Sequence, residues 1–267
     1  MTADLLRSRL LVICVTAAVL VASVAPVVAA MVAAGDHALI GPADVFAFIM
    51  RQSPVGLVFP LIVSLPFAVV LTAQISQRWL AYTRPRAALG KSIRARFAAA
   101  AITGGVIGFL IVLLVFVWAF VIEPRTGLVT FQPDLYGLVT PEQIHSAERG
   151  LFTFAQLLTF GDWTFGLGYS LFVGVAGALY SMVTTACLFI MTNRFLAMAV
   201  PWIVSVAVYF VMAVLDLALV SPNAFFPFNM TQASMALPMV PLGALAVTAG
   251  VLTWVVFAKA RTWDSWQ

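Results

Sequence analysis

"ITGGVIGFLIVLLVFVWAFVI", residues 102–122, contains no charged residue and no proline. At about 1.5 Å per residue, a helix of that length crosses the ~30 Å hydrocarbon core of a bilayer. A strand of a transmembrane barrel would alternate apolar and polar side chains at period two, and this run does not. A helix satisfies its own backbone hydrogen bonds, which lipid cannot do for it. Similar runs recur along the 267 residues, which are 63% hydrophobic and 9% charged, with a mean hydropathy of +1.07. Water-soluble domains carry roughly 25% charged residues, so this composition excludes one. The expectation is an all-α polytopic membrane protein forming one transmembrane domain over residues 1–267. Its six spans fall near 10–34, 55–76, 98–122, 165–191, 196–219 and 238–259.

The first run follows Arg7 and Arg9 and lasts from Leu10 to about Ala34. That exceeds the 7–15 residues of a signal-peptide core, so it reads as a retained first span. Ser53-Pro54 supplies a capping serine and a first-turn proline for the second span. Pro26, Pro60, Pro66 and Pro201 fall within or near the starts of spans, where neighbouring helices can satisfy the carbonyls they free.

Basic residues set the orientation. With the N-terminus in the cytoplasm, eleven Lys and Arg lie inside, against only Arg51, Arg125 and Arg149 outside. The positive-inside rule therefore predicts both termini in the cytoplasm. The long outer connections are then 123–164 and 220–237. In the first, Thr140, Pro141 and Gln143 form a helix start with a capping box. The apolar "LFTFAQLLTF" (151–160) is too short to span, so it is expected at the outer interface or dipping in and returning. Residues 220–237 are aromatic, proline-broken and nearly uncharged, which suits a re-entrant or interfacial hairpin.

Charge concentrates in "RWLAYTRPRAALGKSIRARF", residues 78–97, with six basic residues and no acidic one. Gly90-Lys91-Ser92 matches the tail of a phosphate-binding loop. Such a loop needs a glycine five residues before Gly90, where this chain has Pro85, and a preceding strand, for which there is no signal. Nucleotide binding is therefore not expected. Topology and headgroup contact account for the charges, but not for Trp79, Leu80, Tyr82, Leu89 and Ile93 between them. Pro85 divides the stretch into helical pieces over 75–83 and 86–97. A compact basic and apolar element of this kind either docks a cytoplasmic partner or serves topology alone.

Here the chain resembles the membrane subunit of ABC-2 type transporters, the six-span permeases of bacterial export systems. "PVGLVFPLIVSLPFAVVLTAQ" (54–74) is similar to that family's proline-broken second helix. Tyr82, Arg84, Arg86 and Lys91 resemble its tyrosine-arginine-arginine-lysine segment before the third span. "NRFLAMAVPWIV" (193–204) resembles its short inner turn and proline-containing fifth helix, and "LVSPNAFFPFN" (219–229) its re-entrant outer hairpin. Many relatives carry an acidic residue near 72–78, where this chain has Gln74 and Gln77. The resemblance implies a type V exporter-like permease in the bacterial cytoplasmic membrane. Residues 78–97 would be its coupling helix, with Arg78, Trp79, Leu80, Tyr82, Arg84, Arg86, Leu89 and Lys91 seated on a separate ATPase. It further implies two ATPase copies carrying ATP and Mg, a second permease copy or paralogue, and no cofactor on this chain. Lipid, but no nucleic acid, completes the expected partners. The cargo would be an amphipathic or lipid-like molecule, a peptide or a drug.

Gly104 with Gly108, and Gly174 with Ala178, are small-xxx-small pairs in the third and fourth spans that suit close helix packing. A secondary transporter would ordinarily place ionisable groups in mid-membrane. Only Asp216 falls within an expected span, at its outer end. An enzyme would need clustered acid–base or metal-binding groups. His37, His145, Glu142 and Glu148 lack metal-ligand spacing and read as surface residues, and Cys14 and Cys187 as small buried hydrophobes. A non-transporting scaffold or immunity protein shares the six-span pattern.

Overall fold

The computed structural model describes residues 2–34, 37–76, 89–226 and 232–260. Eight helices of ten residues or more are present among them: α1 (Thr2–Ala34), α2 (Pro42–Gln52), α3 (Val55–Ser76), α4 (Leu89–Val117), α5 (Pro141–Gly150), α6 (Asp162–Ile190), α7 (Arg194–Val214) and α8 (Met239–Ala260). Six of them, α1, α3, α4, α6, α7 and α8, are long and apolar enough to cross a membrane. The described residues contain no β-strand beyond one parallel bridge between Leu39 and Phe131. The described residues are thus all-helical in their regular structure, as expected.

Helix α6 is the centre of the bundle. Its largest interface is with α4, and α3, α7 and α8 also pack on it. Phe165, Tyr169, Val173, Ala176 and Ala186 on α6 are all fully buried. By contrast, α7 and α8 carry Phe195, Val214, Val247 and Trp254 almost bare, each more than two-thirds exposed. Apolar surface on that scale is untenable in water and matches lipid contact.

The prolines of α3 have partners next to the carbonyls they free. Pro60 and Pro66 cannot donate to the carbonyls of Gly56 and Ile62. One residue on from each, Leu57 O accepts from Trp202 Nε1 of α7 at 3.0 Å, and Val63 O accepts from Ser181 Oγ of α6 at 2.8 Å. The opened backbone thereby becomes a pair of helix–helix hydrogen bonds, each of a kind measured at about 0.6–2 kcal/mol in membranes.

Three boundaries differ from expectation. The helical piece over 86–97 and the span over 98–122 are one helix from Leu89, because the intervening "RFAAAAI" is alanine-rich and has no glycine or proline to break it. That helix continues past Val117 through a π turn (Trp118–Ile122) into Glu123–Thr126. Pro124, with no N–H for the carbonyl of Phe120, follows the widened turn. Helix α7 stops at Val214 rather than 219. Leu217 N–H returns to Met212 O at 2.8 Å and Asp216 N–H to Ala213 O at 3.2 Å, with Asp216 left-handed at φ 60°. That is a Schellman stop with aspartate where glycine is usual, and it places Asp216 beyond the helix, exposed.

One end of the bundle, here the loop-rich end, carries α2, the connection between α4 and α6, and the segment after α7. Thr140 and Gln143 form the expected capping box at the start of α5, with Gln143 N–H to Thr140 Oγ1 at 3.3 Å and Thr140 N–H to Gln143 Oε1 at 3.1 Å. The apolar 151–160 stretch forms a 3₁₀ segment (Thr153–Phe160) whose Phe154 stacks on Tyr169 at 4.5 Å between centroids. Phe226 folds back to pack against Phe59 of α3 at 5.1 Å.

Candidate functional site

The expected docking residues Arg78, Trp79, Leu80, Tyr82, Arg84 and Arg86 lie outside the described residues, as does Gln77. Leu89 and Lys91 open α4, where Lys91 is exposed. Around them α4 is well anchored. Ile93 is fully buried, Phe97 packs between Phe189 and Phe257, and the Arg94 guanidinium stands 5.8 Å over the Phe257 ring. Arg94, expected to meet headgroups, thus also caps an aromatic face of α8. Nearby, Arg194 Nη1 donates to Thr72 O at 3.2 Å, tying the start of α7 to the end of α3. The element leading out of 78–88 therefore sits on a rigid base.

The four small residues singled out by spacing meet across the α4–α6 seam. A Cβ on Gly104 would collide with Ser181 Oγ and lie 2.5 Å from Gly177 O. A Cβ on Gly108 would lie 2.8 Å from Val173 O and 3.4 Å from Gly174 Cα, and Ala178 Cβ lies 3.5 Å from the Cβ position of Gly105. Two further glycines complete the seam, since a Cβ on Gly177 would come within 2.5 Å of Gly104 O. Only hydrogen fits where backbone meets backbone this closely.

At the loop-rich end the structure assembles a site that sequence spacing did not indicate. Helix α2 is buried from Ala43 to Met50, although it was expected only as part of an outer connection. Phe46 packs edge-on against Phe165 at 5.3 Å, wedging α2 against the central helix. Gly41 at its N-cap has no side chain to cap with, and Pro42 has no N–H. The free Ala43 N–H donates to Glu148 Oε1 of α5 at 3.1 Å, a cap supplied from another helix. Gly41 makes this possible, because a Cβ there would collide with that same oxygen. Asp44 reaches back to accept from Ile40 N–H at 3.0 Å. Two carboxylates therefore converge on one helix N-terminus, whose partial positive charge suits them.

Both are buried, which corrects the surface reading of Glu148. His145 remains exposed, with Nδ1 at 3.5 Å from Glu148 Oε2. Glu123, after the π turn, is fully buried. Its Oε1 accepts from Val129 N–H at 3.1 Å, while Oε2 has no partner. Among the described residues no group of three or more His, Cys, Asp or Glu could hold a metal ion.

Burial pushes the Glu148 carboxyl above its ordinary range, against the opposing pull of the Ala43 N–H and His145. Asp44 is raised for the same first reason, with the Ile40 N–H and Arg51 opposing. A carboxyl whose folded pKa is raised favours the protonated fold. Its stabilising contribution is complete below the unfolded value of about 4.3 and is lost as pH rises through the folded value. Melting of the purified chain should therefore fall as pH rises from the unfolded value through the folded one and level off above it, and Glu148→Gln should flatten the profile while raising the high-pH limb. Gly41→Ala should expel the carboxylate from Ala43 and cost about 1.5–3 kcal/mol, the range for a hydrogen bond to a charged group. A Gly41→Ala chain melting with wild type would contradict the trans cap.

No family model, no curated protein and no solved structure matches this chain.

Proposed function

We propose that this chain is the permease subunit of an ABC-2 type exporter in a bacterial cytoplasmic membrane. It would move an amphipathic or lipid-like molecule, a peptide or a drug by alternating access, driven by a separate ATPase. The observation that carries the reading is the basic and aromatic segment 78–97, set between a proline-broken second span and the third. Six apolar helices and a tight glycine seam between α4 and α6 support it. So does the rigid anchoring of α4 from Ile93 to Phe97, since displacement at residues 78–88 would be passed straight into that helix. ATP and Mg belong to the partner, and no step of hydrolysis is assigned to residues of this chain.

Purification from native membranes under mild conditions tests the reading. An ATP-binding-cassette protein should co-elute, and the permease alone should show no saturable ATP affinity, with or without Lys91→Ala. Recovery of the chain with no ATPase under several detergents would contradict it.

In this reading the loop-rich end faces outward and the termini face the cytoplasm. Cysteines introduced at Thr140 and Ala233 should react with an impermeant thiol reagent in intact cells, whereas those at Arg86 and Ser265 should not. Labelling of Arg86→Cys from outside would reverse the orientation.

A second reading, ion-coupled transport, draws on the unpartnered buried oxygen of Glu123. It requires transport that proceeds without any ATPase and is abolished by Glu123→Gln. The exporter reading requires transport to depend on the ATPase.

A further inference from the structure

At the loop-rich end a groove of about 520 Å³ opens between α5, the 3₁₀ segment Thr153–Phe160 and residues 232–235. We infer that it is a binding site for the phosphate-bearing headgroup and first acyl carbons of a phospholipid. The inference does not depend on transport or on an ATPase. The groove has one polar and one apolar side. Arg149, Ser146 and Gln156 line the first, and Leu157, Phe160 and Met235 the second. Arg149 is the one cationic side chain among the lining residues.

Its guanidinium is held at one nitrogen and has no second partner among the described residues. Nε donates to His145 O at 3.0 Å, which fixes the arm along α5. No described carboxylate reaches the remaining fork. The neighbouring Glu148 is turned away to Ala43, and His145 pairs with it. A planar fork with free N–H groups in a half-buried setting suits two oxygens of one phosphate. The walls are stitched rather than loose: Gln156 Nε2 donates to Ala233 O at 2.7 Å, and Gln232 Nε2 to Arg149 O at 3.3 Å. Ser146 and the amide oxygens can accept from the hydroxyls of a glycerol headgroup.

Position selects a lipid over a soluble anion. Phe160 is 76% exposed and, three residues on, Trp163 opens α6 at 58% exposed. Both stand where a membrane-crossing helix leaves the bilayer, the depth at which exposed aromatic rings concentrate. The volume falls within the ~300–1,000 Å³ of small-molecule sites, enough for a headgroup and the start of a chain.

The test titrates the purified full chain in a neutral detergent, read by calorimetry, with dihexanoyl phosphatidylglycerol or with inorganic phosphate. The short-chain lipid should saturate one site. Arg149→Gln should weaken it about tenfold, the loss of one good charge-assisted contact. Arg149→Lys should weaken it less, and Phe160→Ala, at an exposed position, should weaken the lipid without disturbing the fold. Inorganic phosphate, lacking the apolar part, should not saturate at comparable concentrations. Three outcomes would overturn the proposal: no saturable lipid binding, wild-type lipid affinity in both Arg149→Gln and Phe160→Ala, or phosphate binding as tightly as the lipid. The last would make the groove a soluble-anion site.

Discussion

Gly104→Leu should leave the chain inserted but unable to hold its native bundle, with its melting transition lost or lowered far below wild type. Overpacking ordinarily costs about 1–3 kcal/mol because side chains can shift aside. At Gly104 the obstacle is partly backbone, since a Cβ would stand 2.5 Å from Gly177 O as well as colliding with Ser181 Oγ. The cost should therefore reach or exceed the top of that range. Gly104→Ala with Ser181→Ala should recover only part of the loss, because the carbonyl remains and the Ser181 bond to Val63 O goes. Gly250→Leu is the matched control in a lipid-facing span, where nothing lies within 4 Å. Thermal unfolding in detergent, followed by size-exclusion elution, distinguishes them. Equal melting of Gly104→Leu and Gly250→Leu would mean that α4 and α6 do not meet as described.

The second large effect belongs to the cytoplasmic segment of the proposed exporter. Interfaces rest on a few aromatic and arginine anchors, whose truncation costs at least about 2 kcal/mol each, or roughly 30-fold in affinity. Trp79 and Tyr82 are the aromatic residues of 78–97 that precede Pro85. The Trp79→Ala, Tyr82→Ala double variant should lose ATPase association or uncouple hydrolysis from transport. Insertion should be unaffected, because the six basic residues remain. Wild-type association and transport in that variant would reduce the segment to a topology signal.

These two predictions draw on different kinds of legibility. Spans could be read because an uncharged run of about 20 residues has few alternatives, and residues 102–122 needed no context at all. The Thr140–Gln143 box was equally local, as both of its hydrogen bonds close within four residues. The glycine spacing pointed to a seam, but Gly105 and Gly177 escaped notice because a two-residue motif says nothing of the partner's register. Helix α2 was missed for a different reason. Its eleven residues carry Asp44 and Arg51, too short and too charged to stand out beside spans. The carboxylate that caps it comes from Glu148, 105 residues later. No local pattern announces a bond between two helices so distant in sequence, and the burial of Glu148 accompanies that bond. The end of α7 was misplaced because the stop residue is Asp216 rather than glycine, although aspartate is among the few residues that tolerate the left-handed turn.

The central claim, that residues 78–97 seat a separate motor, is tested most directly by a photo-reactive benzoylphenylalanine in place of Tyr82 in living cells. Irradiation should join the chain to an ATP-binding-cassette ATPase, giving one discrete higher-mass band that is absent in the dark and absent when the same residue replaces Trp254 on the lipid-facing side of α8. Adducts with lipid alone, or with a protein that has no nucleotide-binding motif, would contradict the account.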